Sequence, residues 1–126
     1  MASKTFYDVQ AVNPHVKILA GSFTTNNTSN PVATNNTGAG WSVARSGTGE
    51  LTVTLEDSYP GLISAQVSLA LNAAADSKCQ FGAIDVTTAK TVVIRTITGT
   101  AAADIAANAN NRVHFCLILR NTSLTQ

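Results

Sequence analysis

The strongest constraint on the fold is a strict alternation of apolar and polar side chains near the end of the sequence. Within Arg112–Arg120, every second position is apolar: Val113, Phe115, Leu117 and Leu119. Successive side chains of a β-strand point to opposite faces of its sheet, so this spacing collects the four apolar side chains on one buried face. The segment is therefore predicted to be a strand, since an amphipathic helix would repeat its apolar residues about every 3.6 positions.

Similar alternation fills most of the remaining sequence. Two segments show it clearly, Gly49–Glu56 and Leu62–Asn72. In the second segment, Ile63, Ala65 and Val67 are predicted to face the core. Four further predicted strands are Val16–Phe23, Trp41–Arg45, Lys78–Val86 and Thr91–Thr98. Because turn-forming residues separate these short strands, the sequence predicts an all-β fold, an antiparallel β-sandwich or jelly roll of about seven or eight strands.

Two segments lie outside this pattern. Residues 1–15 are predicted to form an extended N-terminal arm, and residues 16–126 the sandwich domain. Within the domain, residues 24–40 are a low-complexity loop of Asn, Thr, Ser and Gly, which cannot bury enough apolar surface to order itself alone. We expect this loop to be mobile or to become ordered against a partner. The Ala-rich residues 101–109 are predicted to form a second long loop.

The composition excludes two classes of partner. Charged residues make up only 12% of the 126 residues, and eight basic against seven acidic residues leave a net charge of +1. Binding to nucleic acid or to an anionic membrane surface needs clustered positive charge. No apolar run reaches the length of about 18 residues that a membrane span requires, and residues 1–7 lack the layout of a signal peptide. We therefore expect a soluble protein made in a cytoplasm, with no nucleic acid and no membrane as partner.

Little in the sequence could support catalysis. The two cysteines, Cys79 and Cys116, match no zinc or redox spacing and are predicted to be free, buried thiols. The one conceivable set of nucleophile, base and acid is Cys79, His114 and Asp85, and nothing in the surrounding sequence marks it. We therefore expect no enzyme activity, no metal and no cofactor.

Aromatic side chains leave one alternative open, which is a platform for stacking sugars. Its members would be Phe23, Trp41, Tyr59, Phe81 and Phe115. Because these residues are scattered over different predicted strands, positions in a core or an interface are favoured for them.

A series of short sequence motifs occupies the middle of the chain. It reads WSVARSGTGELTVTLED over residues 41–57 and continues with Tyr59 and Pro60. An Ala/Asp loop over residues 101–109 and the segment Asn111–Phe115 then precede the last apolar strand. Together, over roughly residues 41–121, this order of turn, Thr-rich strand, acidic residue and aromatic-proline pair resembles small structural proteins of tailed bacteriophages.

The resemblance implies a jelly-roll-like domain that associates with itself on a virion. Such domains serve as head decoration (cement) proteins or as parts of tail fibres and spikes, and the short chain favours a decoration protein. The implied partner is the major capsid protein, and the implied location is the capsid surface of a virion, after synthesis in the host cytoplasm. The alternative is a tail-fibre, spike or other tail-associated domain that binds a receptor or a glycan.

Contact residues are predicted where the core pattern is missing. Capsid contacts are expected in the arm and the first loop, at Phe6, Tyr7, Val9, Asn26, Asn27, Asn35 and Asn36. A subunit interface is expected on the less polar face of the last strand, at His114, Cys116 and Ile118. Self-association would give a cyclic oligomer, with a trimer preferred and a dimer as the second choice.

Overall fold

A computed structural model describes residues 15–121 as a set of short strands. In chain order the strands are β1 (Val16–Thr24), β2 (Trp41–Gly47), β3 (Glu50–Leu55), β4 (Gly61–Ala70), β5 (Ser77–Asp85), β6 (Thr91–Thr98), β7 (Ala101–Ala102) and β8 (Arg112–Arg120). One short 3-10 helix, Ala33–Asn35, lies between β1 and β2. Each of the seven predicted strands is present, with ends that differ by a few residues.

The strands form two antiparallel sheets. Sheet A has the order β1-β8-β4, and sheet B has the order β2-β3-β6-β5, with the short β7 paired to β6. The first and the last strand of the described chain are therefore neighbours in sheet A. This arrangement confirms the predicted antiparallel β-sandwich, while the jelly-roll connectivity stays a prediction. No helix among residues 15–121 is long and apolar enough to cross a membrane.

The core lies between the inner faces of the two sheets. The four alternating apolar residues of β8 are all buried, at exposures of 0–4%. Sheet B opposes them with Leu51, Val53, Leu55, Val92 and Ile94. Because each fully buried side chain of this size contributes about 1.5–3 kcal/mol, this double layer is the main source of stability.

A β-bulge changes the predicted facing of one residue. The register of β4 against β8 shifts between Leu62 and Ser64, and Ile63 is 52% exposed instead of buried. Leu62 packs against the core in its place. The prediction for Ile63 was therefore wrong, because an extra residue in one strand inverts the alternation on one side of the bulge.

Residues 24–40 are held in place by the sandwich itself. Thr37 exchanges two backbone hydrogen bonds with Ser22 of β1, at 2.8 and 2.9 Å. The Arg112 guanidinium donates from Nη2 to the Asn35 carbonyl oxygen at 2.8 Å and to Ser22 Oγ at 3.0 Å. This differs from the expectation that the loop is mobile or becomes ordered against a partner. The expectation was based on composition, which gives no information about hydrogen bonds to distant strands.

An ion pair fixes the second long loop. Arg45 donates to Asp104 from Nε at 3.0 Å and from Nη2 at 2.8 Å, and the Gly49 backbone N–H donates to the same carboxylate at 3.0 Å. The Arg45 hydrogen bond lowers the pKa of Asp104 below its ordinary value. Beyond β7, the predicted loop over residues 101–109 contains no helix.

Candidate partner-binding face

The outer face of sheet A is the surface that turns away from the core. Its centre consists of three rows of side chains, one from each strand: Ile18–Ile118–Ser64, Ala20–Cys116–Gln66 and Ser22–His114–Ser68. β8 lies between β1 and β4, so its residues form the middle of each row. Its even-numbered residues face outward because they alternate with the buried ones. Because β8 is hydrogen-bonded to β1 on one side and to β4 on the other, a rigid scaffold presents all three rows of side chains.

Apolar side chains are exposed at one end of this face. Ile18 is 45% exposed and lies directly opposite the half-buried Ile118. Ala20 and Cys116 continue the low-polarity surface in the next row. A cross-strand pair of isoleucines in water gains free energy when a partner covers it, at about 25 cal/mol per Å² of apolar area.

The charge of the outer face is one-sided. Within the described strands β1, β4 and β8 there is no Asp or Glu, whereas Arg112 and Arg120 stand at the two ends of β8. Lys17 of β1 lies at the margin, with its Nζ 5.9 Å from the centre of the Tyr59 ring. A protein that docked on this face would meet an uncharged centre with basic ends, and it would bury no carboxylate of these three strands.

Two shallow hollows flank His114. One, of about 280 Å³, lies between β4 and β8 and is lined by Gln66, Ser68 and Cys116. The other, of about 330 Å³, lies between β8 and the loop at Thr37 and Gly38. The exposed imidazole thus forms a ridge between two depressions, a shape that side chains of another protein surface can fill.

The predicted interface residues share this face. His114, Cys116 and Ile118 occupy successive outward positions of β8, as the alternation requires. Their contact with a second subunit stays a prediction.

The predicted capsid contacts have mixed positions. Phe6, Tyr7 and Val9 lie outside the described residues. Asn26 Nδ2 donates to the Asn30 carbonyl at 2.7 Å, and Nδ2 of the exposed Asn35 donates to Thr24 Oγ1 at 3.3 Å. The side-chain oxygen of Asn36 is buried and has no hydrogen-bond partner among the described residues. Asn27 is exposed, with a positive φ of 53°. Its side chain is the one of these four best placed to meet a partner.

The conceivable catalytic set is not assembled. Cys79 packs on the inner side of sheet B, where burial raises the pKa of its thiol to about 11. The Asp85 carboxylate at the end of β5 accepts hydrogen bonds from the backbone N–H groups of Thr88 and Ala89, which lower its pKa. His114 lies on the outer face of the other sheet.

The remaining site predictions concern metals, thiols and aromatic residues. Residues 15–121 contain no group of three His, Cys, Asp or Glu side chains that could hold a metal ion. Both cysteines are free, as predicted, and each is half-buried. Four of the five aromatic residues proposed for sugar stacking are buried and the fifth, Phe81, packs against the core. The described aromatic residues therefore line the interior and offer no stacking platform.

Sequence reasoning missed the contribution of β1 to this face. Ile18 and Ala20 were visible as alternating positions in a predicted strand, but nothing local indicates that the first strand pairs with the last. Arg112, which ties the loop to the edge of sheet A, was likewise visible only as the first residue of a strand.

No protein-family model matches the sequence, and neither the curated proteins nor the solved structures include a significant match to it.

Proposed function

We propose that this protein is a structural component of a virion, a capsid decoration (cement) protein that binds the outside of the head and stabilises contacts between capsomers. The observation that carries this proposal is the outer face of sheet A, with its exposed isoleucine pair, uncharged centre and rigid backbone. The similarity of residues 41–121 to phage structural proteins supplies the virion context.

In this proposal, copies of the protein meet each other through the outer face of sheet A. His114, Cys116 and Ile118 form the middle of the seam, and the low charge keeps the cost of desolvation small. A trimer is the preferred assembly and a dimer the second choice, since both are closed by cyclic symmetry.

The shell contact is assigned to the long loop beside β1 and to the N-terminal arm. Asn27 projects from the loop, and the major capsid protein is the partner. Individually weak contacts of this kind add up when they are repeated over a symmetric shell, because linked binding events raise the effective concentration of the next one.

The first test is the copy number of this protein in purified particles of the phage that encodes it. Quantitative mass spectrometry would compare it with the major capsid protein. Comparable numbers are expected for a decoration protein that tiles the head. A copy number that is a small fraction of the capsid protein would transfer the proposal to a tail component, and absence from particles would refute a virion role.

A further inference from the structure

The Arg112 guanidinium holds a positive charge at one end of sheet A. Its Nη2 donates to three neutral oxygens, those of Ser22, Asn35 and Thr37, at 2.8–3.3 Å. These bonds fix the side chain without cancelling its charge. The elements around it, which are β1, β4, β8 and residues 25–40, contain no Asp or Glu. Arg112 is therefore a partly buried cation to which its neighbours supply no counter-charge.

His114 adds a second donor beside this cation. It follows Arg112 by two positions, so both side chains stand on the outer face of β8, roughly 7 Å apart along the strand. Ser22 connects them, because it lies directly opposite His114 and accepts the Arg112 hydrogen bond. Ser22 and Thr37 also line the hollow of about 330 Å³ beside His114, so the guanidinium lies at its margin. A carboxylate that entered this hollow would meet a guanidinium, an imidazole and hydroxyl groups, all of which donate hydrogen bonds.

Three carboxylates of the described residues are already engaged within the domain. Asp104 pairs with Arg45. Asp85 accepts hydrogen bonds from the backbone of its own turn, and Glu50 accepts one from a serine hydroxyl at 3.0 Å. Because these contacts hold the three carboxylates where they stand, none of them is a good counter-charge for Arg112.

Glu56 and Asp57 are better placed to contact another molecule. They are adjacent in the turn after β3, and both are exposed. They border a groove of about 340 Å³ that Ile18 also lines, so they lie at the margin of sheet A. Ile18 and Thr24, the residue opposite Arg112, are roughly 20 Å apart along β1. The cation and this pair of carboxylates are therefore too far apart to meet within one copy.

We propose that Arg112 and His114 of one copy bind the carboxylates of Glu56 and Asp57 of a second copy, and that this contact orients the subunit seam. The inference rests on the self-association proposed above and names the groups that fix its orientation. Every copy carries both groups, so a dimer and a ring would each repeat the contact at every interface. Opposite charges also suppress wrong pairings, since an arrangement that brings Arg112 against its own counterpart is repulsive.

Sedimentation velocity of charge-reversed variants tests this contact. Arg112→Glu and the carboxylate variant Glu56→Arg/Asp57→Arg should each weaken self-association by about tenfold or more, because each brings like charges together. A protein with all three substitutions should associate within about threefold of the unmodified one, because opposite charges face each other again. If the triple variant stays as weak as its parents, the two groups do not meet and the proposal fails.

Two single substitutions serve as matched controls. Lys78→Glu reverses an exposed charge of β5 in sheet B, and Asp76→Arg reverses an exposed carboxylate in the turn before β5. Both should retain self-association, and a loss as large as that of Arg112→Glu would contradict the specific pairing. Arg112 also ties the loop at Asn35 to sheet A, so Arg112→Glu can disturb the fold. The carboxylate variant leaves that tie intact and tests the seam by itself.

Salt gives a readout that a purely apolar seam would not show. Raising NaCl from about 0.05 to 0.5 M should weaken self-association of the unmodified protein, because mobile ions screen the charges. Association that is insensitive to salt would count against the ionic contact.

Failure of the wider proposal would look different from failure of this pairing. If the unmodified protein stays monomeric under all these conditions, the seam is refuted and the contact with it. If it associates and the carboxylate variant associates equally well, only the pairing is refuted. Loss of shell binding in Arg112→Glu, with self-association intact, would overturn the assignment to a second copy and place the carboxylates on the capsid protein.

Discussion

Gly21 makes room for the Trp41 indole between the edges of the two sheets. A Cβ added at Gly21 would collide with Cζ2, Cε2 and Nε1 of that ring. Trp41 in turn packs edge-on against Phe115, with ring centres 4.9 Å apart, so the indole has nowhere to move without disturbing β8. The absence of a side chain at one position of β1 therefore decides how closely the sheets approach.

We predict that Gly21→Ala destabilises the fold by about 1–3 kcal/mol, the usual cost of overpacking a core. Gly47→Ala in β2 is the matched control, because the nearest atom to its added Cβ is Glu50 Cβ at 3.9 Å. Urea unfolding of both variants measures the difference. Equal free energies of unfolding would show that the indole relaxes without cost.

The Cys79 thiol should be unreactive at neutral pH. Burial raises its pKa from 9.0 to about 11, and the thiolate is the form that reacts. Alkylation by iodoacetamide in the folded protein should therefore accelerate as the pH approaches about 11. Because the folded pKa lies above the unfolded one, this group's contribution to stability is complete below about pH 9 and is lost between about pH 9 and pH 11.

Mass spectrometry of the alkylated peptide gives the rate, with the urea-unfolded protein as reference. If Cys79 reacts equally fast in the folded and the unfolded protein at neutral pH, the thiol is not buried as described.

The second loop depends on the carboxylate of Asp104, which joins it to β2 and to the turn at Gly49. Asp104→Asn should lower the melting temperature at neutral pH, because it removes the charge that Arg45 pairs with. The pKa of Asp104 is lowered in the folded state, so its contribution is present above the unfolded value of 3.8 and is lost as the pH falls through the folded value.

The difference in melting temperature between Asp104→Asn and the unmodified protein should therefore shrink in acid. Differential scanning calorimetry over a pH series measures it, with Asp76→Asn as the control for a change of net charge alone. A difference that stays constant from neutral pH to strong acid would contradict the ion pair.

Strands could be predicted from the sequence because alternation depends only on neighbouring residues. The core positions of β8 follow from it directly, and so does the common face of His114, Cys116 and Ile118. The bulge at Ile63 could not be predicted, since one extra residue leaves no local mark.

Contacts between distant segments could not be predicted either, because they also leave no mark in the local sequence. The bond from Arg112 to Asn35 joins residues 77 positions apart, and the Arg45–Asp104 pair joins residues 59 positions apart. These contacts order both loops, and they decide which parts of the surface are available to a partner.

Assembly of the whole molecule with other copies should respond to one added charge on the outer face of sheet A. Gln66 is exposed beside Cys116, so Gln66→Lys should leave the fold intact. We expect it to weaken self-association by about tenfold or more, because a lysine would have to be desolvated between the basic ends of β8. Shell binding should weaken as a consequence, because copies that no longer associate bind the shell singly.

Thr54→Lys, at an exposed position of sheet B, is the matched control and should retain both interactions. Sedimentation velocity measures self-association, and pelleting with capsids that lack the protein measures shell binding. A monomer at all concentrations in the unmodified protein would contradict the proposed subunit seam.

Pairing of β1 with β8 also sets the order of events during folding. Val16 pairs with Arg120, so sheet A cannot close before nearly the whole domain has been synthesised, whereas β5 and β6 are joined by a short turn. Contacts between remote segments form slowly. In pulsed hydrogen exchange during refolding, the amides of β6 should gain protection before those of β1, and simultaneous protection would contradict this order. The face assigned to partners would then be the last part of the molecule to form, so a nascent chain could not associate before its own core is complete.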